Sequence, residues 1–96
     1  MPAAARQGDP GVVHCTAYTI ASGSSDVFIN NLPAARVGDQ STVHLKPGGH
    51  NCVPHTAPIA TGSATVFING QPAARQGDYL SGCTQIASGS PDVIIG

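Results

Sequence analysis

The chain has 96 residues, 41% apolar but only 4% aromatic, with 9% charged and a formal net charge of −1. Arg6, Arg36, Lys46 and Arg75 are the four cations and form no basic patch, which sets nucleic acid aside as a partner. This length supports one small domain at most, over residues 1–96, and its Ala- and Val-rich apolar share cannot build a large core. A metal, disulfides or an oligomeric partner must then add stability.

Twelve Gly and eight Pro disfavour long helices. No apolar run reaches the length of a membrane span, and the head lacks a charged-then-apolar leader, so synthesis in the cytoplasm without a signal peptide is expected. Three cysteines, Cys15, Cys52 and Cys83, are an odd number, which makes thiols or metal ligands the expected roles rather than a disulfide framework.

In chain order, the head reads "PAAARQGD" from Pro2 to Asp9. A spacer over residues 10–22 leads to "GSSDVFIN", a turn and then a β-branched run, Val27-Phe28-Ile29. Pro33 should end that strand, and "AARVGD" follows from Ala34 to Asp39. The longest spacer, residues 40–61, holds Pro47-Gly48-Gly49, a turn signal that points to a hairpin or loop insertion. "GSATVFIN" and "AARQGD" come next, ending at Asp78, and the last phrase, "GSPDVIIG", stops at Gly96.

The phrase thus occurs three times, and the half missing after Gly96 stands at the N-terminus, with one extra Ala. Joining Gly96 to Met1 completes the third copy. Such an arrangement predicts a closed, mostly β object of short strands and turns with pseudo-threefold symmetry, its two ends sharing one unit. In each copy an Arg precedes an Asp by three positions (Arg6 and Asp9, Arg36 and Asp39, Arg75 and Asp78), and a pair that orders the turn is the expected role.

Five residues beyond each Asp lies a metal-capable side chain: His14, His44 and Cys83. Equivalent positions converge near a threefold axis, and a fourth ligand would complete a tetrahedral site. The middle spacer offers His50, Cys52 and His55 in "GGHNCVPH". His55 is preferred, because it directly precedes "TAPIATGS" and so lies near the body of the repeat, whereas His50 stands by the Gly-Gly turn. Cys15 rivals Cys83, since Thr follows both. Three His and one Cys suit a structural Zn²⁺, with iron left open.

The segments "LPAARVGD", "QPAARQGD" and "MPAAARQGD", with "GSxxVFIN" before the first two, resemble the PAAR-repeat family over essentially the whole chain. The resemblance implies a small cone with a metal near its apex that caps the trimeric VgrG spike of the type VI secretion system. It also implies a zinc set of three His and one Cys, which His14, His44, His55 and Cys83 match by position. The expected role is a structural, non-enzymatic tip, one copy per trimer, with effector proteins and a transiently contacted target membrane as further partners. The type VI apparatus would carry it to the exterior or into target cells. Many members carry added toxin or transthyretin-like domains; here a stand-alone tip is expected. A zinc hydrolase and a symmetric adaptor are the alternatives, and the absence of any Glu weighs against the first.

Overall fold

The computed structural model describes residues 2–96, and every regular element among them is a β-strand. The strands form three antiparallel hairpins: β1 (Phe28–Ile29) with β2 (Leu32–Pro33), β3 (His44–Gly48) with β4 (Asn51–His55), and β5 (Phe67–Ile68) with β6 (Gln71–Pro72). The first and third close over Asn30-Asn31 and Asn69-Gly70, whose φ values are 53°, 65°, 54° and 80°. Two consecutive left-handed residues match the right-handed strand twist, which is why Asn and Gly occupy these turns. As the sequence implies, β2 and β6 end at their prolines.

The third unit is assembled from the two ends of the chain. Ala3 bridges Ile94 as Pro33 pairs with Phe28 and Pro72 with Phe67. The Ile95 amide donates to the Pro2 carbonyl at 3.0 Å, closing the equivalent pairing of this third unit. Ala3 therefore takes the place of Pro33 and Pro72, so the extra alanine shifts the proline by one position and inserts nothing. Met1, the other half of the predicted junction, lies outside the described residues.

Ring closure is visible in the backbone. Ala35 donates to Ala5, Ala5 to Ala74 and Ala74 to Ala35, each at 3.0 Å, so three equivalent alanines make a cyclic triangle of hydrogen bonds. All three are at most 1% exposed, as are their neighbours Ala4, Ala34 and Ala73. Only a small side chain fits where three backbones come this close, which gives the repeated Ala-Ala its physical meaning. Within each Arg-x-Gly-Asp, the Asp amide donates to the Arg carbonyl at 3.0 Å, and Gly8, Gly38 and Gly77 have φ of 93°, 98° and 90°. This is the conformation required at the third position of a type II turn.

Two apolar clusters lie along this ring. One joins Ala5, Ala35 and Ala74 to Ile20, Ile59, Ile86, Leu80 and Tyr18, with Cys83 packed against it; the other joins Ala4, Ala34 and Ala73 to Ile68 and Ile95. Each fully buried Ile contributes roughly 1.5–3 kcal/mol, so the core is real but small. The molecule is elongated, 40 × 24 × 22 Å.

The Arg–Asp pairs order the turns as expected. Arg6 Nη2 and Nε donate to the two carboxylate oxygens of Asp9 at 2.8 and 3.0 Å, while the Arg6 amide donates to Oδ2 at 2.7 Å. Arg36–Asp39 and Arg75–Asp78 repeat this fork. Arg6 Nη1 reaches Asn30 Oδ1 at 2.9 Å and Arg36 Nη1 reaches Asn69 Oδ1 at 3.0 Å, linking one unit to the next. In the third sector Gly96 stands where the Asn would be. There Ser63 Oγ donates to the Gly96 carbonyl at 2.5 Å and Arg75 Nη2 to the Gly62 carbonyl at 3.2 Å.

Candidate metal centre

Beyond each Asp the backbones of the three units run together, with Gly11 bridged to Ile86, Ser41 to Ile20 and Leu80 to Ile59. His14, His44 and Cys83 stand three residues past Gly11, Ser41 and Leu80, so the same ring that buries the alanines carries these side chains together. His55 comes by another route. The β3–β4 register pairs His44 with His55 directly, bringing a ligand-capable side chain from a position with no counterpart in the other repeats.

His44 Nε2 lies 3.0 Å from His14 Nε2 and 2.8 Å from His55 Nε2. Cys83 Sγ is 3.0, 3.4 and 3.6 Å from the Nε2 atoms of His14, His44 and His55. All four donor atoms lie within 4.8 Å of one another. A tetrahedral ion with bonds of about 2.0–2.3 Å sets its ligand atoms roughly 3.3–3.7 Å apart, so these side chains close on one point at nearly that spacing.

The donor chemistry fits a cation. His44 Nδ1 is 2.8 Å from the Thr42 carbonyl, which can only accept, so Nδ1 carries the proton and Nε2 presents its lone pair to the cluster. His44 is 3% exposed, and the Tyr18 ring stacks on it at a centroid distance of 4.2 Å and 19° between planes. The Tyr18 hydroxyl is 2.9 Å from Thr84 Oγ1, and burial pushes the phenol up to about 12, which keeps it neutral. His14 and His55 are both lowered from the ordinary imidazole value, first by desolvation and further by the positive charge of Lys46. Both effects favour neutral imidazole, the metal-binding form.

His50 lies apart from this cluster. The hairpin turns over Gly49-His50, since Gly48 pairs with Asn51, and His50 is exposed at its tip. Four residues of each strand separate it from the His44–His55 pair, roughly 15 Å along the hairpin. The turn signal Pro47-Gly48-Gly49 is thus displaced: Pro47 and Gly48 belong to β3. Pro47 faces Cys52 and Pro54 faces Leu45, and the outward Leu45 amide donates to Thr16 Oγ1 at 2.9 Å. Alternation makes Pro47 and Pro54 outward-facing as well, so they cost no hydrogen bond within the hairpin and leave few free donors on its edges.

The expected absence of disulfides is overturned. Cys15 and Cys52 form one, with Cα atoms 6.0 Å apart, and Cys15 is therefore no rival to Cys83 in the cluster. The odd count was misleading because it is one cluster thiol plus one bonded pair. A signal was present: Cys15 follows His14 and Cys52 lies three residues before His55, so convergence of those histidines brings both cysteines near. Sequence reasoning also missed Tyr18 and the Thr42 carbonyl, for which no motif exists.

The PAAR motif matches over residues 2–44, 41–84 and 54–96, three times across the described length. The chain belongs to the PAAR-motif family. No curated individual protein matches it. The three matches fit the three units of the ring, and membership supports a role of the type VI spike-tip kind in general. The PAAR arginines are the turn-ordering guanidiniums described above, and the PAAR alanines are the residues packed at the axis.

Proposed function

We propose that this chain is a non-enzymatic tip that caps and sharpens a trimeric VgrG-like spike, one copy per trimer, and carries a structural Zn²⁺ on His14, His44, His55 and Cys83. The observation that carries the docking is the position of three large exposed apolar side chains. Phe28, Phe67 and Ile94 occupy equivalent places in the ring and are 55%, 57% and 58% exposed. A trimer offers three identical patches around its axis, and a monomer with three similar edges is the shape that meets them all at once. They lie beside the cluster of Ala4, Ala34, Ala73, Ile68 and Ile95, whereas Cys83 packs against the other cluster, so docking and metal binding occupy different regions.

A structural role for the ion is supported by the donor count: four protein side chains leave no position for a reacting water. Asp9, Asp39 and Asp78 are engaged by arginines, and Asp26 and Asp92 by Asn69 and Asn30, so no carboxylate is free to act as a base at the cluster. When bound, the ion would pin three ring segments and the hairpin to one point. Translocation by the type VI apparatus, membrane puncture and effector carriage follow from this role.

Titration of the zinc-loaded protein against a trimeric β-helical spike fragment, read by light scattering, tests the docking. One copy per trimer is expected, with binding abolished in Phe28→Ser/Phe67→Ser/Ile94→Ser. Three copies per trimer, or no complex, would overturn the reading and leave the adaptor alternative.

A further inference from the structure

Three of the four cluster side chains sit on two separate segments, His14 on the bend after Gly11 and His44 and His55 on the β3–β4 hairpin. The hairpin projects beyond the core, and residues 49–54 are exposed along it. Two further ties hold it to the His14 segment: the Leu45 amide to Thr16 Oγ1, and the covalent bond from Cys15 to Cys52, 37 residues apart. That bond leaves from the residue next to His14 and arrives three residues before His55.

We propose that Cys15–Cys52 is a redox-operated clamp on the metal centre, an inference that rests on the zinc reading above. With both cysteines reduced, the hairpin carrying His44 and His55 is joined to the His14 segment by weak contacts and the ion itself, and the ion exchanges. Oxidation fixes the two segments and retains the ion. Cys52 is exposed and Cys15 partly so, which leaves the pair open to thiol–disulfide exchange. Cys83 faces three ring nitrogens within the cluster and stays out of the exchange.

The oxidant is a small-molecule disulfide. One cysteine thiolate attacks it, forming a mixed disulfide and expelling one thiolate. The second cysteine thiolate attacks the protein sulfur of that mixed disulfide, closing Cys15–Cys52 and expelling the other. The two protons released by the cysteines end on the two expelled thiolates, so two cysteines are oxidised and one external disulfide becomes two thiols. Such a clamp suits a protein made in a reducing compartment and moved to an oxidising one.

The test uses the full chain loaded with zinc and oxidised by glutathione disulfide, then mixed with excess chromogenic chelator. Release is compared before and after phosphine reduction and in Cys15→Ser/Cys52→Ser, with hydrogen exchange of residues 44–55 followed in each state. Release from the oxidised protein is expected to be slower by roughly tenfold or more, the scale on which support around a metal site acts. The reduced protein and the double variant should behave alike, with weaker protection over 44–55. Zinc bound stoichiometrically but released equally fast in both states would overturn the clamp and leave the metal site standing. No zinc uptake in either state would overturn the zinc reading and the clamp with it. Three titratable thiols after glutathione disulfide treatment would remove the clamp by itself.

Discussion

Gly11→Ala is expected to be among the most damaging single-methyl changes in this protein. A Cβ at Gly11 would lie 1.9 Å from Tyr18 Cζ, 2.2 Å from its hydroxyl oxygen and 2.3 Å from Cε2. Ordinary contact begins near 3.4 Å, so the ring must retreat by roughly 1.5 Å. It has little freedom to do so: Tyr18 is 3% exposed, stacked on His44 and hydrogen-bonded to Thr84. Overpacking of this kind costs about 1–3 kcal/mol, and a disrupted hydrogen bond about 1 kcal/mol more. At about 4–8 °C per kcal/mol for a domain of this size, Tm should fall by roughly 8–30 °C. The equivalent backbone pairs in the other two units are Ser41 with Ala57 and Leu80 with Thr84, so only the first unit sets a glycine against an aromatic ring. The deciding assay is a double-mutant cycle read by thermal unfolding. In a Tyr18→Ala background, Gly11→Ala should be neutral to within about 0.5 kcal/mol. An equal loss in both backgrounds would refute the clash and require another cause.

Arg36→Ala removes both arms of the fork on Asp39 and the link to Asn69, leaving the 6%-exposed carboxylate with its turn amide and Ser22. Breaking a buried pair costs about 3–5 kcal/mol, and since the Arg36 side chain is 22% exposed the expected loss in urea unfolding is nearer 2–3 kcal/mol. Arg36→Lys should recover only part, because an ammonium cannot fork; a loss below about 0.5 kcal/mol for Arg36→Ala would refute the assignment. Acid should also destabilise the fold. His14 and His55 are depressed, so their contribution is full above the unfolded value of about 6.5 and is lost as pH falls through the lower folded-state values. Protons competing for the ring nitrogens act in the same direction on bound zinc. Thermal unfolding between pH 7 and pH 4, with zinc retention measured alongside, checks this, and a Tm that stays flat would count against it.

Repetition in the sequence determined the ring. Three copies of one phrase demand three equivalent backbone paths, and their split ends can be completed only by meeting, as Ala3 and Ile94 do. The same logic placed His14, His44 and Cys83 around a common axis, because side chains at equivalent positions must converge where equivalent backbones do. The preference for His55 over His50 rested on proximity alone, and only the tertiary structure shows that His55 is the one gathered with the other three side chains. Pairing across a hairpin depends on which two residues make the turn. Closure over Gly49-His50 sets His44 opposite His55, whereas closure over Pro47-Gly48 would have set His44 opposite Asn51. Nothing local to those residues selects the first, since Pro47 satisfies an outward strand position as well as a turn. The Cys15–Cys52 bond belongs to the same class. It joins residues from segments with different repeat positions, so no periodicity carries it, and it comes into being only when the closed ring brings those segments within reach.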